Sequence, residues 1–498
     1  VLPSHTTFYQ LVDGEDIEVS LNVNSSSFED IDDFIDSIGD LPAQSDRGIY
    51  PASNLIVSEP IFFRGIVVKK ITYIPYQLDF NNNTIQFFED VDIIIDNVDV
   101  IQTRDYTNVQ RSKIFEPFYE DMIINYERSD RNEDYQIPSV LYICGGSSIN
   151  NPYVQELLDW RHKTGYIVNA ISTSDIGGSS SNAIKSYIQN AYQNWENPPE
   201  IVGLIGDTGG SYSIGYFTES FSGYSGEGDW PYSLLEGDDL YPEVFIGRIS
   251  VNSSSELSNV INKTLVYERA TYLSSDSSWY ERAALCGDPS SSGNSTVITN
   301  EYVGNILESF DFEDVNGNYG NGNYANWMEN QLADGCLYMN YRGYIGTSGF
   351  GTGNISNASN SFKNPFAIFI TCGTGGFSST CLSESLFRAG TVSNPQGAVA
   401  SIGTATSGTH TLFNNIVNMG IYDGIFPKGI TTAGGAMTAG RLSLLSTYPS
   451  NPNNWVSIFS HWTNLMGDPA LELWRDTPKE MILDFDSTVL SGTNFIDV

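Results

Sequence analysis

Along residues 1 to about 100, apolar and polar positions alternate in short segments. Examples are Ile56-Val57-Ser58-Glu59-Pro60 and Phe62-Phe63-Arg64-Gly65-Ile66-Val67-Val68. Several such segments broken by turn residues predict a β-sandwich. Residues 101–137 are polar and charged (QTRDYTNVQRSK, NYERSDRNEDYQ) and read as a linker or wrapping segment. From 138 the pattern changes to continuous apolar runs at 140–144, 201–206, 244–249, 283–286, 337–341, 366–371 and 398–402, each read as a buried strand. Helix-like stretches lie between them at 153–163, 183–195, 255–272, 300–308 and 382–389, with serines at 147–148 and 253–255 as N-cap types. Strands alternating with helices predict an α/β domain with a mainly parallel sheet covered on both faces. After Gly467-Asp468-Pro469 the chain turns β-like again (KEMILDFDSTVLSGTNFIDV), as at the start of a further β domain. No internal repeat is visible, and 351–362 reads as loop.

The run FAIFITCGTGGF at 366–377 carries the first candidate chemistry. Cys372 ends a buried strand where α/β sheets place their ligand crevices, and the glycines behind it leave amide N–H groups free to face an oxyanion. Cys144, Cys286 and Cys336 lie inside apolar runs and read as core. A nucleophilic cysteine needs a base, and only four histidines exist. His5 sits at the chain end, His162 in a helix-like surface segment, and His461 in an apolar stretch that reads as core. His410 follows the strand at 398–402 and is the best base by position. Asp314, Asn316 and Asn318 in DVNGNYGNGN resemble the start of a calcium loop, although the glycine is misplaced and no bidentate glutamate follows. A plain polar turn is the alternative there.

Composition narrows the setting. At 498 residues, two to four domains are expected. Sixty acidic against 23 basic side chains give a formal charge of −37, which argues against nucleic acid and anionic membranes as partners. No apolar run approaches the ~20 residues that would allow membrane insertion. The start at Val1, with neither a methionine nor a leader pattern, fits a processed, secreted protein in an extracellular or cell-surface setting.

The blocks FITCGTGGF, LYMNYRGYIGTSGFG, EGDDLYPEVFIGRISV and HWTNLMGDPALELW resemble, in order and spacing, those of gingipain-like cysteine peptidases (family C25). The resemblance covers about 138–475. It implies a caspase-like domain over 138–475, a prodomain-like β-sandwich over 1–100, a linker over 101–137, and the start of an immunoglobulin-like domain over 476–498. Catalytic Cys and His would then stand at the ends of adjacent parallel strands. Cys372 matches the nucleophile, and Asp239 matches the acid at the base of the S1 pocket in arginine-specific members. Arg248 and Asp468 fall in blocks read as structural. One departure is serious. Where the family writes Asn-Tyr-x-Gly-His-Gly, this chain writes Asn340-Tyr341-Arg342-Gly343-Tyr344-Ile345, so Gly343 is kept and Tyr344 replaces the base.

Two readings follow. In the first, the chain is a secreted cysteine endopeptidase or its zymogen, acting on polypeptides with Cys372 as nucleophile. The base would have moved to His410, whose segment helps wall the S1 pocket in gingipains. In the second, it is an inactive surface or extracellular protein that keeps the fold for structure or binding. Neither reading requires a cofactor; calcium, self-assembly and surface partners stay open.

Overall fold

A computed structural model describes residues 6–12, 16–30, 48–98, 110–480 and 488. The apolar runs pair into one ten-stranded sheet. Its order is Ile167–Ser172, Ser139–Cys144, Ile201–Ile205, Phe245–Ile249, Thr463–Met466, Ala400–Thr404, Phe366–Phe369, Tyr338–Arg342, Arg282–Gly287 and Asp314–Tyr319. Neighbours in the first four strands are parallel, as are neighbours in the last five. Thr463–Met466 joins the two groups, antiparallel to Ala400–Thr404 and touching Phe245–Ile249 through the Arg248 and Met466 pair.

Side chains along each strand alternate between two cores, as a strand's period of two requires. Val140 and Tyr142, Ala283 and Leu285, and Phe366 and Ile368 face one apolar core with helices Ser254–Glu268, Ser295–Ser309 and Thr411–Ile425. Leu141 and Ile143 face a second core with Ser181–Asn194. Ala284 and Cys286, with Ala367 and Phe369, face a third with Tyr324–Asp334. Helices therefore cover both faces, the expected α/β layering. The mixed sheet, its helices and the β-rich N-terminal region match the expected fold class.

Upstream stand two four-stranded antiparallel sheets. Their anchor to the main domain is Arg64, in the two-residue turn between Ile61–Phe63 and Ile66–Tyr73. Arg64 (φ 31°) and Gly65 (φ 75°) both have positive φ, the signature of a tight hairpin turn. The turn drives a fully buried guanidinium onto the carbonyls of Pro199 and Glu243 and the Gln136 side chain.

Several expectations are corrected. Within the segment read as a linker, helix Glu116–Met122 packs into the main core, with Phe115, Phe118 and Tyr119 buried and Phe115 stacked on Phe245 at 4.4 Å; residues 101–109 lie outside the described residues. The stretch 351–362 contains helix Thr352–Ala358. Asp314, Asn316 and Asn318 belong to an edge strand, not a calcium loop. There Asp314 accepts from Arg282 and from Asn316 at 2.7 Å each, and Asn318 bonds Gly322 and Asn321. Most of the tail expected to start another β domain, 481–487 and 489–498, lies outside the described residues.

Candidate active site

Three neighbouring parallel strands deliver the candidate residues to one edge. Cys372 lies three residues beyond Phe366–Phe369, Tyr344 two beyond Tyr338–Arg342, and His410 six beyond Ala400–Thr404. The glycine loop after Cys372 is fastened to the segment leading to His410. Gly373 N–H donates to the Thr406 carbonyl at 2.9 Å and Gly375 N–H to Thr404 at 3.0 Å. Gly373 has φ +73°, and a Cβ on Gly375 would lie 2.3 Å from the Gly403 backbone, so both positions require glycine. Thr371 Oγ1 donates to the Gly343 carbonyl at 3.2 Å and ties the same loop to the Tyr344 side.

Cys372 is the one cysteine of the five that is not buried. Burial pushes the Cys144 and Cys336 thiols up to about 12 and those of Cys286 and Cys381 higher still, so these four are inert core groups. The Cys372 sulfur has its hydrogen-bond contact with Thr409 Oγ1 at 3.2 Å, and Asn414 Nδ2 holds that hydroxyl at 3.0 Å.

No imidazole is hydrogen-bonded to the thiol among the described residues. His410 is exposed and caps helix Thr411–Ile425, its Nδ1 accepting from Leu412 N–H at 3.2 Å. An imidazole nitrogen that accepts from an amide is unprotonated, so the proton of the neutral ring sits on Nε2. To take a proton from sulfur, His410 must release its cap. Tyr344 is 51% exposed beside Ile345 at 53%, and Leu412 at 48% adds a third apolar side chain in the loops at this edge. His461 is buried as expected, and burial lowers its pKa. His162 is exposed, and His5 lies outside the described residues.

The structure brings Cys372, Gly343, Tyr344 and His410 together but not Asp239. Asp239 stands before the amino end of Phe245–Ile249 and accepts from Phe62 N–H at 3.3 Å and Tyr241 N–H at 2.9 Å. Its partners are thus the N-terminal sheets and its own turn, because the turn before that strand opens at the amino edge. Arg248 and Asp468 are buried in ion pairs with Asp229 and Arg161, in line with structural roles.

Three groups at the site went unread in the sequence. Thr409 touches the thiol. Asp288, following Arg282–Gly287, is pushed up by burial, but hydrogen bonds from Ser290 and Ser348 outweigh this and hold it below its ordinary value. Arg342 is fully buried, with Nε and Nη2 on Asn415 Oδ1 at 2.9 and 2.7 Å. Its only sequence signal was its place next to Gly343 in the departing motif.

The comparisons agree with this geometry. Gingipain R2 of Porphyromonas gingivalis is 24% identical over 470 residues, covering 90% of this chain and 62% of its own length. Lys-gingipain W83 of the same species is 24% identical over 461 residues, 84% of this chain and 25% of its own. The chain thus spans less than two thirds of these curated relatives. The crystal structure of the Arg-specific cysteine proteinase gingipain R superposes with a TM-score of 0.62 at 24% identity, covering 73% of this chain and 84% of that one, which shows the shared fold. The model of peptidase family C25 matches residues 133–474, spanning the sheet and all three loops around Cys372, and the chain belongs to that family.

Proposed function

We propose that the chain is a gingipain-like cysteine endopeptidase, secreted or held at the cell surface, that attacks polypeptides with Cys372. The observation that carries this reading is the contrast among the cysteines. Four are buried, and the fifth stands partly exposed at the carboxyl edge of a parallel sheet, on a loop whose backbone only glycine can follow. The thiolate sulfur would bond the scissile carbonyl carbon and push its electron pair onto oxygen. Collapse would expel the amine, which takes up a proton, and water would then hydrolyse the thioester. His410 would carry those protons after its ring leaves the Leu412 amide. The acidic surface, with a formal charge of −37, supports the extracellular setting.

One observation favours a second reading, a catalytically silent binding or structural protein on the same fold. Among the described residues the thiol has no imidazole partner, and Tyr344 stands where the family motif carries histidine. Hydrolysis of a peptide library separates the two. The endopeptidase reading expects cleavage that is abolished by Cys372→Ala, reduced about 100-fold by His410→Asn, as for loss of a general acid–base group, and little changed by Tyr344→Phe. Wild type that cuts no peptide, with activity appearing in Tyr344→His, would establish the silent protein instead.

A further inference from the structure

Thr409 stands directly before the N-cap of helix Thr411–Ile425, yet its hydroxyl takes no part in capping. His410 Nδ1 accepts from the Leu412 amide instead. Among the described residues, Thr409 Oγ1 is hydrogen-bonded to Cys372 Sγ at 3.2 Å and to Asn414 Nδ2 at 3.0 Å. Asn414 is buried in the first turn of the same helix, where its backbone N–H donates to the His410 carbonyl at 3.1 Å.

These contacts have a direction. A side-chain amide nitrogen only donates, so Asn414 occupies a lone pair of Oγ1 and leaves the hydroxyl hydrogen free for the sulfur. A thiolate can only accept. Once Cys372 ionises, the Thr409 hydrogen is the partner this geometry offers it. A hydrogen bond to an ionised acceptor is roughly twice as strong as a neutral one, so the contact favours the charged form.

The backbone around Thr409 is held in place. Gly373 N–H donates to the Thr406 carbonyl at 2.9 Å. From the antiparallel pair Phe217–Phe221 and Tyr224–Gly228, Tyr224 closes on Gly408, where a Cβ would lie 2.3 Å from its ring. The charged and titratable groups at this edge have partners other than the sulfur. Arg342 holds Asn415 and the Thr411 carbonyl, Asp288 accepts from Ser290 and Ser348, and Glu227 accepts from the Ser378 amide. His410 caps its helix, and Tyr224 and Tyr344 are exposed.

We infer that Thr409 is a catalytic residue of this site, the hydrogen-bond donor that holds the Cys372 thiolate, and that Asn414 is the positioning residue that orients its hydroxyl. The inference rests on Cys372 being the nucleophile. The thiol proton passes to solvent water, and Thr409 keeps its own proton throughout. It stabilises the anion without acting as a base.

The test is alkylation of the full chain by iodoacetamide between about pH 5 and 10, with the product mapped at Cys372, because the rate follows the thiolate fraction. The sulfur forms the new C–S bond and iodide leaves. Thr409→Val keeps the side-chain shape and removes the donor. It is expected to move the midpoint of the profile up by about one pH unit, a tenfold loss of thiolate below the midpoint. Thr409→Ser restores the wild-type midpoint, and Asn414→Leu gives a smaller upward shift. The Thr409→Val shift is expected again in a His410→Asn background, where no imidazole titrates beside the thiol. An unmoved midpoint in folded Thr409→Val, or in Thr409→Ala should the valine variant fail to fold, would overturn the inference. So would a rate changed equally at every pH, which marks a packing role, or a shift that vanishes with His410. A shifted midpoint in a chain that hydrolyses no peptide keeps the hydrogen bond and removes the endopeptidase reading. Peptide hydrolysis by wild type with an unmoved midpoint in Thr409→Val removes the hydrogen bond alone.

Discussion

At the residue scale, the site separates what sequence carries from what only packing decides. Cys372 and its glycines were legible because an apolar run ending in Cys-Gly-Thr-Gly-Gly encodes both a strand and a tight backbone approach. The same holds for Tyr344, a departure within a contiguous motif. Arg342 was not legible, because its burial depends on Asn415, 73 residues away. The place of Asp239 was not legible for a similar reason: sequence puts it beside a strand but does not say which edge its turn occupies. Burial raises the Asp239 carboxyl to about 6, above its ordinary value, against hydrogen bonds from Tyr241 and Phe62. A raised acid makes the folded state hold its proton more tightly than the unfolded state, so the associated stability is full below the unfolded value and lost as pH rises through about 6. The melting temperature of wild type relative to Asp239→Asn is therefore expected to fall between pH 4 and 7. A constant difference across that range would show that the carboxyl is not held up by burial.

At the element scale, the strands with unbroken apolar runs were found to within a few residues, because a strand buried on both faces needs no polar position. Asp314–Tyr319 was missed because it pairs on one side only, and as the sheet's edge it tolerates Asp, Asn and Gly. Thr463–Met466 was hidden in the apolar run it shares with helix Trp455–Trp462. The helix that matters most, Thr411–Ile425, starts on His410, and here a structural duty competes with the chemical one. As N-cap, His410 supplies an acceptor to the Leu412 amide, a contribution of about 1 kcal/mol. Asparagine also caps well, so His410→Asn is expected to keep the melting temperature while removing the imidazole, whereas His410→Ala loses about 1 kcal/mol as well. If the two variants lose peptide hydrolysis equally but differ in unfolding midpoint, the two duties are separate. Equal stability in both would show that the cap contributes nothing.

At the scale of the whole molecule, most contacts of the N-terminal sheets lie at the amino ends of the strands, and the thiol lies past the carboxyl ends. The upstream region meets the main domain through Lys70 on the Pro449 carbonyl, next to Tyr448, which packs on Phe413 beside His410. It also does so through Tyr9 and Tyr241, whose hydroxyls lie 2.5 Å apart, through Phe62 and Asp239, and through Arg64 on Pro199 and Glu243. Tyr241, Asp239, Pro199 and Glu243 precede the strands Ile201–Ile205 and Phe245–Ile249, at their amino ends. Cys372 lies past the carboxyl end of Phe366–Phe369, and the Thr208 to Phe377 hydrogen bond shows that the carboxyl ends of both groups of strands share that edge. A five-residue strand separates the two edges by about 17 Å. Arg111 donates to the Glu127 carbonyl and lies over Tyr126. Docking of this kind contributes stability. Arg64→Met would leave buried carbonyls without donors, at about 1–3 kcal/mol each, and is expected to lower the unfolding midpoint markedly. Cutting the chain between residues 98 and 110 is expected to leave the two parts associated and peptide hydrolysis no faster than before. A rise in turnover on separating them would mean that the upstream region does restrain Cys372, and that the contacts at the amino edge are not its whole function.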